Sequence, residues 1–199
     1  AMPPAAARDR LRESRLRLED ITGSGIRGVR TPRLARCAAA AVAEAGFSYD
    51  ASPHPTWVGH GLSGLRTPRV PWLEAGIVRV PLSTTPVLRL PVGWYVLRGL
   101  GTAPSTLLAR LAGAGAPWVH LYFHPWEAVD LRRWMGAHPL GWGAGPAWVA
   151  SLARLLERLA SRLHPASVGA AVDAWSAAST GAAEHKPPAD AAAGRGRVQ

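Results

Sequence analysis

The stretch GIRGVRTPRLARCAAAAVAEAGFSYDAS, residues 25–52, sets the fold class. GIRGVR reads as a short extended piece, and Thr31-Pro32 resembles an N-cap followed by a first-turn proline. The run LARCAAAAVAEA then reads as a helix, Gly46 as its stop, and FSYDAS as a second strand. Working outward, RDRLRESRLRLED (8–20) predicts a polar-faced helix ending near Gly23, and GIVRVPLST (76–84) alternates like a strand. TAPSTLLARLAGAGA (102–116) predicts a helix with a glycine-rich exit, and PWVHLYFHPWE (117–127) begins as an apolar strand. Helices alternating with short apolar strands predict an α/β arrangement with parallel strands and flanking helices. PAWVASLARLLERLASRLHP (146–165) carries Trp148, Val149, Leu152, Leu155, Leu156, Leu159 and Leu163 along one stripe, the pattern of a helix packed on the sheet.

Residues 51–75, rich in Pro, Gly, His and Trp, read as a long irregular loop. Composition divides the chain into a folded part, 1–164, and an Ala/Gly/Pro-rich tail, 165–199, that lacks the apolar content for order from about residue 176. The formal charge of +10 comes from 23 basic residues spread along all 199, so no localised basic patch marks a nucleic-acid site and none is expected. Apolar stretches are broken by charge well short of the ~20 residues a spanning helix needs, so no membrane segment is expected. A lone cysteine, Cys37, excludes an internal disulfide and reads as a small core residue.

Two stretches are nearly identical, GVRTPRL at 28–34 and GLRTPRV at 64–70. The Glu-Ala-Gly pieces near them keep a different spacing, so the likeness is not a structural repeat. The best chemical cluster is HLYFHPWE, because polar residues ending an apolar strand sit where α/β sheets bind ligands. On a strand, His120 and His124, four positions apart, are separated by about 13 Å, too far for one metal ion. His124 is left as a candidate acid in need of a carboxylate partner, for which Asp50, after FSY, is available. Trp126 reads as core and Glu127 as a solvated turn residue.

The succession RLEDITGSGIRGVRTPRL, EAGFSYDAS, RVPLST and WVHLYFHPWE resembles the second half of a NodB-type polysaccharide deacetylase, a family of carbohydrate de-N-acetylases with a distorted (β/α) barrel. The resemblance covers roughly residues 8–135 and implies a partial barrel of that type, acting on an amino-sugar polymer. Arg30 and Pro32 match the family's Arg-x-Pro motif, and Arg33 stands where an aromatic residue usually contributes to substrate binding. Leu121, Phe123 and His124 match its Leu-x-Leu-His motif, which implies an acetyl-methyl pocket and a general acid, with Trp126 beside the substrate and Asp50 orienting His124. The family's early Thr-Phe-Asp-Asp and His-x-x-x-His motifs are absent, and His54 and His60 have the wrong spacing to replace them. The complete family domain therefore implies zinc or another divalent metal, whereas none is expected for this chain alone, which reads as the C-terminal portion of such a domain. The alternative is a catalytically inactive module of the same ancestry that binds glycan or a partner chain, stacking Trp57, Trp72 and Trp94 on sugar.

Overall fold

The computed structural model describes residues 3–58, 61–136 and 138–184. Its first element is α1 (Pro4–Thr22), begun with proline in the first turn and ended by Gly23 in the left-handed conformation, whose N–H closes on the Glu19 carbonyl. Strands β1 (Gly28–Val29), β2 (Tyr49–Asp50), β3 (Trp72–Glu74) and β4 (Ile77–Arg79) form one sheet in the order β1-β2-β4-β3. The pairs β1–β2 and β2–β4 are parallel and β3–β4 is antiparallel. Gly28 leaves room for the Tyr49 ring over β1, since a Cβ there would lie 1.9 Å from the ring's Cζ and the ring would have to move.

Alternation along β4 sends neighbouring residues to opposite faces of the sheet. Ile77 packs with Ala39, Val42, Ala45 and Phe47 beneath α1 and α2 (Ala39–Glu44). Val78 and Val80 pack on the other face with Ala51 and Val172, the latter from α7 (Val168–Glu184). A third core joins α3 (Trp94–Leu100), α4 (Thr102–Gly113) and α6 (Pro146–Ala160) through Leu97, Leu108, Ala109, Trp148, Leu155 and Leu159. A one-turn α5 (Arg132–Met135) lies between α4 and α6 in sequence.

Four expectations need correction. The helix expected directly after Thr31-Pro32 begins only at Ala39; Pro32–Leu34 is instead a 3₁₀ turn with Arg33 and Leu34 at positive φ, which buries Leu34 and leaves Arg33 in water. The loop expected over 51–75 contains β3, joined to β4 by Ala75-Gly76, both at positive φ, the conformation of a two-residue hairpin turn. Helix α6 packs chiefly on α4 rather than on the sheet, and Val149, Leu156 and Leu163 of its expected stripe are exposed. Part of the expected tail folds: α7 lays Val168, Val172 and Trp175 against the sheet face, because an alanine-rich run is a good helix former and three apolar side chains suffice to dock it. The rest of that tail, 185–199, lies outside the described residues, as does His60.

The second Arg-Thr-Pro-Arg copy has a structural duty that its sequence does not announce. Arg69 donates from Nε to the Thr84 carbonyl at 3.0 Å and from Nη2 to the Ala112 and Ala114 carbonyls at 3.0 and 3.4 Å. It thus satisfies orphan carbonyls at the C-terminal end of α4 and places a cation at the negative end of the helix dipole.

Candidate functional site

The run HLYFHPWE does not enter the sheet. The His120 carbonyl accepts from Ser83 N–H, its N–H donates to the Ser83 hydroxyl, and Trp94 N–H donates to the Tyr122 carbonyl at 2.7 Å. Its partners are therefore the chain leaving β4 and the start of α3, with one parallel bridge, Gly93 to Tyr122. This still places the run beyond the carboxyl ends of the parallel strands, where Arg30 follows β1.

Arg30 connects the sheet to the run. Its Nε donates to the Ala51 carbonyl at 3.0 Å, Nη2 donates to Nε2 of His120, and the guanidinium lies 4.7 Å from the Tyr122 ring centroid. His120 is buried, with Nδ1 3.2 Å from the Pro81 carbonyl. A ring that accepts from a guanidinium at one nitrogen and meets a carbonyl at the other is neutral, with its proton on Nδ1. Burial first, and the Arg30 charge second, lower the His120 pKa to about 4. Burial also lowers the pKa of Arg30, partly offset by Tyr122 and Asp50.

The chain continues from Tyr122, whose hydroxyl lies 2.7 Å from Nε2 of His124. Nδ1 of His124 lies 3.1 Å from Oε1 of Glu127, and the His124 N–H donates to the same oxygen at 2.6 Å. The carboxylate fixes the Nδ1–H tautomer and leaves the Nε2 lone pair to accept from the tyrosine. Glu127 is 1% exposed, and its second oxygen faces the buried Arg98 at 3.9 Å. Trp126 stacks on the His124 ring at 4.9 Å, while Trp94 meets both rings edge-on and lies 4.7 Å from the Arg98 guanidinium. His124 is thus an oriented imidazole with a quarter of its side chain open to solvent, 26%, set in an aromatic frame.

Glu127 replaces Asp50 as the partner of His124. Asp50 is buried at the end of β2, with Oδ2 2.7 Å from Nη1 of Arg79 and Oδ1 accepting from Ser52 N–H. It lines a separate pocket of about 140 Å³ with Cys37, His54 and Trp72. Nor is Glu127 a solvated turn residue: the 3₁₀ turn Pro125–Ala128 folds it back three residues, and the two residues form a reciprocal capping box. His-Pro-Trp-Glu has the spacing of that motif, which is the signal in the sequence that points to the pair.

The other expected contacts separate. Leu121 lines a largely apolar cavity of about 1130 Å³ together with Val29, Tyr49, Trp118 and Leu159, whereas Phe123 is 43% exposed, so the two do not share one acetyl pocket. Pro32 and Arg33 are exposed in the 3₁₀ turn after Arg30. Trp57 donates its indole N–H to the Leu88 carbonyl, Trp72 donates to Glu74 beside Arg79, and only Trp94 reaches His124, so these three tryptophans do not make one platform. Burial pushes the Cys37 thiol up, against a nucleophilic role.

The chain matches no family model, curated protein or solved structure. The site is therefore read from its own geometry. The donors present do not fit the divalent metal that the resemblance implies for a complete domain. Both nitrogens of His120, both of His124 and both oxygens of Asp50 already face protein partners. Among the described residues no three His, Cys, Asp or Glu side chains converge. What the arrangement offers is an imidazole oriented for proton transfer by a buried carboxylate and framed by aromatic rings.

Proposed function

We propose that this chain carries the general-acid side of a carbohydrate de-N-acetylase, recognising an N-acetylated amino-sugar polymer and holding His124 to protonate a departing amine. One observation carries the reading: the partly open imidazole of His124 is oriented by Glu127 at 3.1 Å and stacked on Trp126. Once Nε2 is protonated, the Glu127 carboxylate stabilises the imidazolium, and Nε2–H is the proton available to the amine nitrogen as the C–N bond breaks. Arg30 positions Tyr122, which in turn lies against Nε2, so the motif residue acts on the acid through the tyrosine. The order of motifs along the chain supports a half-barrel ancestry for the fold.

Binding is the test suited to this chain. Chitotetraose at millimolar concentration is expected to shift the Trp94 and Trp126 indole N–H resonances and the His124 ring signals, and fully deacetylated tetraglucosamine to shift them far less. Equal shifts with both sugars, or none with either, would overturn the reading. His124→Ala is expected to retain the indole shifts, because the aromatic frame and not the acid supplies the affinity.

A further inference from the structure

Residues 84–91 form a hairpin whose tip stands in water. Thr84 bridges Pro91, Thr85 N–H donates to the Leu90 carbonyl, and Leu90 N–H donates to the Thr85 hydroxyl. At the tip Val87 is 87% and Leu88 65% exposed. They are not scattered surface residues. The Trp57 indole N–H donates to the Leu88 carbonyl at 2.9 Å, and Arg89 donates to the Thr67 and Leu65 carbonyls at 3.2 and 3.4 Å. These bonds strap the hairpin to Trp57 and to the end of the 3₁₀ turn Leu62–Arg66, in which Leu62 is 78% exposed. Contiguous exposed aliphatic side chains beside a half-exposed indole mark an interaction surface.

Charge selects the partner. Between residues 51 and 126 the chain carries Arg66, Arg69, Arg79, Arg89, Arg98 and Arg110 against a single acidic residue, Glu74. Arg79 is paired with Asp50 and Glu74, and the buried Arg98 faces Glu127, which leaves Arg66 and Arg89 as cations beside the hairpin with no carboxylate partner among the described residues. An aliphatic tip, an amphipathic indole and cations without nearby acids are the elements of a surface that seats on anionic lipid. A sugar-binding face would instead present stacking rings and hydrogen-bond groups, which Val87 and Leu88 lack.

We propose that this hairpin is a membrane-docking face, in which Val87 and Leu88 enter the interfacial region of an anionic bilayer, Trp57 lies at headgroup level, and Arg66 and Arg89 meet lipid phosphates. The inference is independent of the chemistry at His124. It does have a geometric consequence for that site: Trp94 follows Leu88 by six positions, at most about 20 Å of extended chain. Trp94 N–H is bonded to the Tyr122 carbonyl, so a seated tip holds the His124 rim close to the lipid surface.

The test is co-sedimentation with phosphatidylcholine vesicles, with and without about one third phosphatidylglycerol. The chain is expected to pellet with the anionic vesicles and not with the neutral ones, and to be released as salt rises. The double variant Val87→Ser/Leu88→Ser is expected to partition about tenfold more weakly at the same salt, with an unchanged melting temperature. If that variant melts early, Leu62→Ser on the neighbouring turn is expected to weaken partitioning in the same direction. Failure to pellet with anionic vesicles, equal pelleting with neutral ones, or wild-type partitioning by the folded serine variants would each overturn the proposal.

Discussion

Arg30-Thr31-Pro32-Arg33 and Arg66-Thr67-Pro68-Arg69 have one sequence and opposite geometries. In the first the leading arginine points inward, to Ala51, His120 and the Tyr122 ring, while Arg33 is exposed. In the second the trailing arginine points inward, to Thr84 and the end of α4, while Arg66 is exposed. The difference lies in where the 3₁₀ turn falls: it includes Pro32–Leu34 in the first copy and ends at Arg66 in the second. In each, the arginine on the extended side of the turn reaches the protein. A tetrapeptide therefore specifies a cation near a turn, and the turn decides which cation is used and whether it meets a reaction site or a helix end.

The largest expected effect comes from breaking the chain of contacts that Arg30 begins at its far end. Glu127→Ala removes the carboxylate facing Arg98 and the partner of His124, and is expected to cost about 3–5 kcal/mol in a denaturant titration, the range for breaking a buried ion pair. Glu127→Gln, which keeps the size, is expected to cost less and to change the His124 tautomer as read by nitrogen chemical shifts.

Second comes pH. His120 is held neutral in the fold, with a pKa of about 4, whereas in the unfolded chain it has the ordinary value near 6.5. Between those values the unfolded state binds the proton and the folded state does not, so stability falls as pH drops from about 6.5 to about 4, by on the order of 3 kcal/mol in total. Arg30→Ala removes the adjacent charge and is expected to raise the His120 pKa, which an NMR titration reads directly. Arg69→Ala is expected to destabilise by about 1–3 kcal/mol through the unsatisfied carbonyls but to leave that titration in place. A His120 shift in both variants, or in neither, would erase the distinction between the copies.

The smallest effect separates the copies by sign. Arg33 sits at φ 55°, where a non-glycine residue is strained, and its counterpart Arg69 has no positive φ. Arg33→Gly is expected to stabilise by up to about 1 kcal/mol and Arg69→Gly to destabilise, both read as shifts in thermal midpoint.

Much of the framework was legible because local signals act within a few residues. The glycine stop of α1, the alternation in GIVRV and the apolar stripe of α6 each predict an element that forms. The missed strand β3 turns on Ala75-Gly76, where alanine adopts the left-handed conformation usually signalled by Asn or Gly. At the site, His124 and Arg30 were readable as chemistry-bearing residues, and Glu127 was hidden in plain sequence three positions away. Proline after His124 starts a turn, and only the tightness of that turn brings the carboxylate under the imidazole.

By itself, then, the sequence determined the alternation of helices and strands, the basic balance of the whole chain and the presence of an imidazole at the end of an apolar run, because these depend on residue type and short-range periodicity. Tertiary structure alone decided which carboxylate meets His124, that Asp50 answers Arg79 instead, and which arginine of each copy is used. Those outcomes depend on burial, since a charged side chain removed from water takes whichever partner the packing of distant segments brings within about 3 Å.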